Sequence, residues 1–388
     1  MLVTLRRVMM ADYERVLHDS HRDLARGKTF AERLHLDLML LLPLLILMVG
    51  GLVVLYSASS ADWGTVGRQG RNQMVALVAM LVVAQFRVET YRRWAPIIYF
   101  LGLGLLVAVP LVGVGAKGAQ RWLSLGVVRF QPSELMKLAM PLMVAWWYSR
   151  YSIPPRPLPL LGSLLVVVLP AALIVIQPDL GTSLLVAASG LFVIFMAGVS
   201  WLYIAAAVVL FVASVWPAWL FLMKDYQKQR VLTLLDPESD KLGAGWNIIQ
   251  SKTAIGSGGW QGKGWLSGTQ SHLDFLPESQ TDFIIAVLAE EFGLRGVLIL
   301  LALYLLVIVR GFWISINAQS SFGRLLASAI TLTFFVYVFV NMGMVAGILP
   351  VVGVPLPLVS FGGTSMVTLM LGFGILMAIS TEKRVIKS

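Results

Sequence analysis

Cysteine is absent from this chain, and charge is scarce. Without cysteine there is no disulfide, no thiolate nucleophile and no cysteine metal site. Charged residues make up 13% of the 388 positions, against about 25% in soluble domains. No fixed-period repeat, low-complexity tract or soluble-domain linker interrupts the chain. The ten-residue alternation of a membrane β-barrel is missing as well. No basic block sits on a soluble face, which excludes a nucleic-acid surface.

What the chain has instead is apolar length. Hydrophobic residues reach 58%, and runs of this length and purity mark helices that cross a bilayer. The runs fall at 38–58, 73–88, 95–114, 134–150, 158–177, 181–199, 202–223, 294–311, 324–348 and 364–381. They predict an all-α, polytopic integral membrane protein built as a ten-transmembrane-helix bundle. Pro43, Pro96, Pro141, Pro170 and Pro217 lie in or near the runs, where neighbouring helices satisfy the backbone groups a proline frees.

Basic residues orient the bundle, because short cytoplasmic loops carry the Lys/Arg excess. Arg87, Arg92, Arg93, Arg150, Arg156, Arg310, Arg324, Lys383, Arg384 and Lys387 fall on one side of a ten-span arrangement. Both termini are then cytoplasmic, with tails at 1–37 and 382–388 flanking a membrane domain at 38–381. The loops 59–72, 115–133, 224–293 and 349–363 face outward, and the large one lies between spans seven and eight. The net charge of +10 is the excess of those cytoplasmic loops, and it also suits an anionic lipid or substrate. Residues 1–37 carry two readings, an interfacial helix spaced by Leu2, Leu5 and Met9 or an unstructured tail.

The outer loops hold the residues able to do chemistry. Lys117-Gly-Ala-Gln-Arg-Trp-Leu-Ser124 supplies Arg121 and Trp122. Phe130-Gln-Pro-Ser-Glu-Leu-Met-Lys137 opens a helix, with Pro132 and Ser133 as start signals and Glu134 in the first turn. Glu134 and Lys137 are three residues apart, so they share a helix face. They either line a site or form a structural ion pair, since charges at membrane depth face an interior. Asp179, in Gln177-Pro-Asp-Leu-Gly-Thr-Ser183, either caps the next helix or faces a cavity.

The segment 224–293 is the longest polar stretch between apolar blocks. It carries Arg230 in a basic run and a turn-rich acidic stretch at 235–240. Residues 247–255 are ambiguous between helix and strand. A glycine-rich stretch follows at 255–270, containing Lys263. Successive N–H groups in such a loop can cradle phosphate, but the spacing matches no nucleotide fingerprint. The other reading is a flexible turn with Trp260 and Trp265 at the membrane interface. The segment ends in Phe275-Leu-Pro-Glu-Ser-Gln-Thr-Asp-Phe283. Thr281 or Asp282 caps a helix that carries Ile284 to Phe292 and stops at Gly293, or Asp282 carries chemistry with Glu278 four residues away. The stretch 349–363 contains Ser360 and is apolar, uncharged and broken by proline and glycine. Irregular backbone cannot face lipid, so it packs back into the protein.

In order along the chain, these segments resemble the SEDS (shape, elongation, division and sporulation) family. The resemblance rests on Lys117–Trp122, Phe130–Glu134, Gln177–Ser183, Leu235–Asp240, Gly262–Gln270, Phe275–Phe283 and Gly347–Gly363, and covers roughly residues 28–388. The motif Gly262-Lys-Gly-Trp-Leu-Ser-Gly-Thr-Gln270 is similar to the RodA branch more than to FtsW. Such a resemblance implies a ten-span fold and peptidoglycan glycosyltransfer from lipid II on the outer face of the bacterial inner membrane. It implies undecaprenyl pyrophosphate as leaving group and a class B penicillin-binding protein as partner. It also makes Asp282 the essential acid of the large loop. Related sequences commonly place His where this chain has Gln280, which cannot titrate.

The resemblance also implies inversion at the sugar carbon, and a single displacement of that kind asks for one base and a stabilised leaving group. Asp282 is the candidate catalytic base, its reactivity raised by desolvation, or it is ligand to a divalent cation such as magnesium or manganese. Arg121, Lys137 and Arg230 are candidates for the pyrophosphate, with Trp122, Glu134, Asp179, Lys263, Glu278 and Ser360 as further substrate-binding candidates. A competing reading is a transporter that flips the same lipid. It would be expected to show inverted repeats and discontinuous mid-membrane helices, whereas here polar residues crowd the outer surface.

Overall fold

Asp37 ends the polar N-terminal stretch by capping the first helix. In the computed structural model, which describes residues 35–116, 119–124, 129–240, 243–272 and 278–382, the Leu40 N–H donates to its carboxylate at 3.2 Å. That bond satisfies one of the orphan donors of a helix N-terminus. Residues 1–34 and 383–388, most of both proposed tails, lie outside the described residues.

The chain then runs through α1 (Leu38–Ala58), α2 (Trp63–Ala84) and α3 (Val88–Val112). A three-stranded antiparallel sheet in the order β1-β2-β3 follows, with β1 Val114–Ala116, β2 Ala119–Ser124 and β3 Arg129–Phe130. Next come α4 (Pro132–Tyr148), α5 (Pro157–Ile176), α6 (Leu180–Met196) and α7 (Trp201–Pro217), the last extended by a π-helical turn, Ala218–Leu222. The polar segment forms α8 (Asp225–Leu235), a 3-10 turn at Pro237–Asp240, α9 (Ala244–Gly258) and the single turn α10 (Thr269–His272). The chain closes with α11 (Ile284–Asn317), α12 (Ser321–Val345) and α13 (Thr364–Ser380).

Six of these helices are long and apolar enough to cross a membrane: α1, α3, α5, α7 with its π turn, α11 and α12. α6 and α13 are shorter apolar helices. Two boundaries differ from the hydropathy reading. α2 starts at Trp63 rather than at 73, because Arg68, Gln69, Arg71 and Asn72 hide about three helical turns from a hydropathy window while packing still holds them. α11 starts at Ile284 rather than at 294, and it kinks at Gly293 (φ 65°, ψ −164°). The segment 224–293 is therefore not one loop, since α8, α9, α10 and the first turns of α11 fill much of it. The ambiguous stretch 247–255 is helical.

Lipid gives helices little hydrophobic reason to associate, so close packing and interhelical hydrogen bonds hold such bundles together. α4 is buried along most of its length and packs against α3, α6 and α12. α13 lies on α2, and α11 lies between α1 and α12. α13 and α2 approach closely, since a Cβ at Gly374 would stand 2.6 Å from the Met80 carbonyl oxygen. The Tyr99 hydroxyl donates to the Val166 carbonyl at 2.7 Å, Ser183 Oγ to Ala171 at 2.8 Å, and Ser251 Oγ to Val345 at 2.9 Å. At one end the Arg310 fork holds Asp37 with contacts of 2.7 to 3.1 Å, and the His35 ring meets Thr381 Oγ1 at 2.9 Å. These contacts join the start of α1 to α11 and to the end of α13. By contrast, α7 buries none of its residues, and its side chains are apolar all round.

Candidate functional site

The acidic motif forms a tight turn rather than a helix cap. Residues 273–277, its first part, lie outside the described residues. From Glu278 the backbone turns, with the Thr281 and Phe283 N–H groups both donating to the Glu278 carbonyl at 3.2 Å. Thr281 Oγ1 donates to the Glu278 carboxylate at 2.9 Å. α11 then begins with Phe283 at its cap position and no side-chain capping bond. The capping role open to Thr281 or Asp282 is thus not taken.

Asp282 is half-buried, and its backbone is held from three directions. Its carbonyl accepts from Asn341 Nδ2 at 2.8 Å, and the same nitrogen donates to the Val354 carbonyl at 2.7 Å. The Thr281 carbonyl accepts from Ser360 Oγ at 2.5 Å. The Gln280 carbonyl accepts from the Phe361 N–H at 2.9 Å. Asp282 Oδ2 lies 3.5 Å from where a Cβ on Gly353 would stand, and Gly353 has φ +76°.

The stretch 349–363 supplies most of these contacts. As its composition predicts, it packs inward, with Val354, Leu356, Leu358, Val359 and Ser360 buried. Gly51 of α1 lets it come close, since a Cβ there would fall 2.8 Å from Val359 Cα. The fully buried Gln69 of α2 reads it with both ends of its amide: Nε2 donates to the Ser360 carbonyl at 3.1 Å, and Oε1 accepts from the Gly362 N–H at 3.2 Å. The Leu356 N–H donates to Ser360 Oγ at 2.8 Å, and the Tyr304 hydroxyl donates to the Pro357 carbonyl at 2.7 Å. The irregular backbone that lipid would leave unsatisfied is thus satisfied by protein.

Four of the charged candidates flank this stretch, while Arg230 and Lys263 are not brought to it. Glu134 and Lys137 form a buried pair at 2.7 Å, and the Lys137 ammonium lies 5.1 Å from the centre of the Tyr337 ring. Both line a cavity of about 30 Å³ together with Thr333, Tyr337, Ser365 and Thr368. A smaller cavity beside it shares Tyr337, Ser365 and Leu369 and reaches Ser360. Arg121 lies on the other flank. Its guanidinium donates to the carbonyls of Gln177 and Pro178 at 3.4 and 2.5 Å, and pairs with Asp179 at 3.6 Å. Asp179 caps α6 through the Thr182 N–H at 3.2 Å and accepts from Gln131 Nε2 at 3.3 Å. A Cβ at Gly181, two residues on, would stand 3.1 Å from the Val352 carbonyl oxygen. Trp122 is half-buried in β2, and Arg230 is exposed on α8.

The glycine-rich stretch has a different task from the one its composition suggested. The N–H groups of Gly262, Lys263 and Gly264 donate to the carbonyls of Gly258, Glu290 and Glu291 at 2.8, 3.0 and 3.0 Å. Donors spent in this way do not cradle phosphate, and the turn is fastened to the α11 kink. Lys263 Nζ donates to the fully buried Glu290 carboxylate at 2.7 Å. That carboxylate also accepts from the Thr269 N–H and hydroxyl and from the Gln270 N–H, at 2.8 to 3.2 Å. Among the described residues no three His, Asp or Glu side chains converge as a ready metal site.

Two residues that hold the site were not singled out from the sequence, Gln69 and Asn341. Asn341 carried a signal, being an amide inside the apolar run 324–348, where polar groups are costly unless partnered.

Comparison with known proteins comes to the same place. The family of FtsW, RodA and SpoVE, described as "Cell cycle protein", matches residues 37–385. The chain is 57% identical over 359 residues to the peptidoglycan glycosyltransferase MrdB of Escherichia coli (strain K12), covering 92% of this chain and 97% of that protein. It is 36% identical over 356 residues to the probable peptidoglycan glycosyltransferase FtsW of Trichlorobacter lovleyi, covering 89% and 93%. Its fold is similar to a chain of a peptidoglycan synthase complex that coordinates polymerization and crosslinking, with TM-score 0.77, 30% identity, and coverage of 89% and 97%. It is also similar to the rod shape determining protein RodA of Thermus thermophilus, with TM-score 0.67, 27% identity, and coverage of 89% and 96%.

Proposed function

Because the chain belongs to the FtsW, RodA and SpoVE family and is a peptidoglycan glycosyltransferase of RodA type, we propose that Asp282 is the base that drives its polymerisation of lipid II. The observation that carries this reading is the holding of the 280–282 backbone by Asn341, Ser360 and Phe361. A base must be held where the reacting hydroxyl arrives, and a small displacement is costly.

In the proposed step the 4-hydroxyl of one sugar loses its proton to the Asp282 carboxylate as its oxygen attacks C1 of another. The bond from C1 to the pyrophosphate oxygen breaks, its electron pair leaves with undecaprenyl pyrophosphate, and C1 inverts. Lys137, kept in line by Glu134, and Arg121 and Arg230 offer cationic charge to the leaving group, with Arg giving bidentate contact and Lys a point charge. Trp122, Asp179, Lys263, Glu278 and Ser360 complete the proposed substrate-binding set. Asp179 acts by holding Arg121, and Lys263 by holding the loop through Glu290. In the alternative reading Asp282 would act not as base but as the protein ligand of a magnesium or manganese ion, which would neutralise the leaving group.

The proposed setting is the bacterial inner membrane, crossed ten times, with both termini cytoplasmic and the Asp282 face outward. One feature supports this. The stretches read as outer loops meet at one end of the bundle, through Gln69 with Ser360 and Phe361 with Gln280, and they touch the ends of two spans, Ser279 with Ala58 at 3.4 Å and Val352 with Gly181. The likeness to a complex that couples polymerization to crosslinking supports a class B penicillin-binding protein as partner. The test is lipid II polymerisation by purified protein with that partner, comparing Asp282→Ala and Asp282→Asn with wild type. Loss of glycan strands in both variants is expected, and near-normal strands in both would overturn the assignment.

A further inference from the structure

We propose that Asn341 and Gln69 are positioning residues for Asp282, acting as two uncharged amide clamps on the strip of backbone that carries it. The inference rests on the reading of Asp282 as base and extends it to residues that touch no reacting atom.

Asn341 sits inside α12 and is fully buried. Its Nδ2 lies between two carbonyl oxygens, those of Asp282 and Val354, so both protons of one –NH₂ group are spent on two separate chain segments. Its Oδ1 has no partner among the described residues. A flipped amide would set that oxygen against the same two carbonyls, so only one orientation works. The amide therefore fixes the distance between the Asp282 backbone and the 349–363 stretch.

Gln69 works from the other side. Its amide takes both a carbonyl and an N–H of that stretch, at Ser360 and Gly362. Ser360 and Phe361 in turn bond the carbonyls of Thr281 and Gln280. The chain of contact runs from α2 through 360–362 to 280–281, while Asn341 reaches residue 282 directly from α12. The two amides bracket the strip from opposite elements. Neither titrates, so the clamp keeps its strength at any pH at which the base works. Both residues belong to helices rather than loops, which suits a device that must hold one carboxylate still over an otherwise irregular surface.

The test uses the full chain with its transpeptidase partner, lipid II as substrate, and the variants Asn341→Ala, Asn341→Ser, Gln69→Ala and Asp282→Asn. Monodispersity and thermal midpoint in detergent report folding. For Asn341→Ala a kcat loss of about tenfold to a hundredfold is expected, the size of effect that misplacing a reacting group produces. KM for lipid II should stay within about threefold, since binding common to ground and transition states is untouched. Asn341→Ser, which keeps one donor, should fall between Ala and wild type. Gln69→Ala should lower kcat in the same sense. The acid limb of the kcat–pH profile should move in Asn341→Ala, because a displaced carboxylate meets different surroundings, and a residue that only stabilises the fold would leave that limb in place. Folded Asn341→Ala with wild-type kcat, or with raised KM and unchanged kcat, overturns the clamp. Should Asn341→Ala fail to fold, wild-type kcat in both Asn341→Ser and Gln69→Ala overturns it. Activity in Asp282→Asn would overturn the reading of the base itself. Inactive Asp282→Asn beside unchanged Asn341 and Gln69 variants would sink the clamp alone.

Discussion

Removing the Lys263 ammonium should loosen the turn that it fastens, and the amount follows from its surroundings. Lys263→Met keeps the length of the side chain but deletes the 2.7 Å contact to Glu290. Breaking a fully buried ion pair costs about 3–5 kcal/mol, because it leaves the other charge without compensation. Two facts reduce that figure here. The Lys263 side chain is 28% exposed, so water already screens part of the attraction. Glu290 also keeps its donors from Thr269 and Gln270. A loss of about 2 kcal/mol remains, which corresponds to about a thirtyfold rise in the population of the opened turn. Amide hydrogen exchange on the full chain in detergent reads this directly, since local opening sets the exchange rate. Amides of 262–264 and 269–270 should exchange about thirtyfold faster in Lys263→Met, while those in the middle of α12 keep their wild-type rates. Lys263→Arg should stay near wild type. Unchanged exchange over 262–270 in Lys263→Met would refute the reasoning, because it would mean that the carboxylate does not need this cation.

Arg310→Met should destabilise the end of the bundle where α1 begins by about 3 kcal/mol, because it leaves the buried Asp37 carboxylate without its fork. Thermal unfolding in detergent checks this, and Asp37→Asn should recover part of the loss in the Arg310→Met background. Gly353→Ala should cost about 1–2 kcal/mol of stability through its left-handed backbone. Its methyl would stand at ordinary contact distance, 3.5 Å from Asp282 Oδ2, so any loss of polymerisation rate should follow the strained backbone rather than a clash; thermal midpoint and initial rate measured side by side check this.

Much of the helical framework was legible because a membrane-crossing helix must be long and apolar, and that property is local. The start of α2 was not, since its polar first turns bury Gln69 and Gln73 against carbonyls that only the folded chain brings near. A helix after Asp282 was expected and one at 247–255 stood as one of two readings, but the strands at 114–130 and the helices α8 and α10 escaped for a related reason. They are short, glycine-rich or polar, and packing on neighbours holds them. The Glu134–Lys137 pair was legible from helical spacing alone. The capping role of Asp179 was legible as one of two readings, while its bond with Arg121, from a different segment, was not. Asp282 stood out as the acid of a polar motif. The bond from Asn341 to its carbonyl spans 59 positions in the chain, and no local pattern encodes a partner at that range.

The kink at Gly293 has a consequence for how this protein tolerates change in length. An unbroken helix would bond the Leu294 N–H to the Glu290 carbonyl and the Arg295 N–H to that of Glu291. Here those two donors go to the carbonyls of Gly259 and Trp260, at 2.9 and 3.3 Å, and the two acceptors take the N–H groups of Lys263 and Gly264, both at 3.0 Å. The turn thus completes the helix as a plug completes a socket, four groups against four. Its register is set at both ends, by residues 259–260 and by residues 263–264. One residue inserted between them would strand backbone groups on the turn and on the helix together, although the insertion would lie in a surface segment where added length is ordinarily harmless.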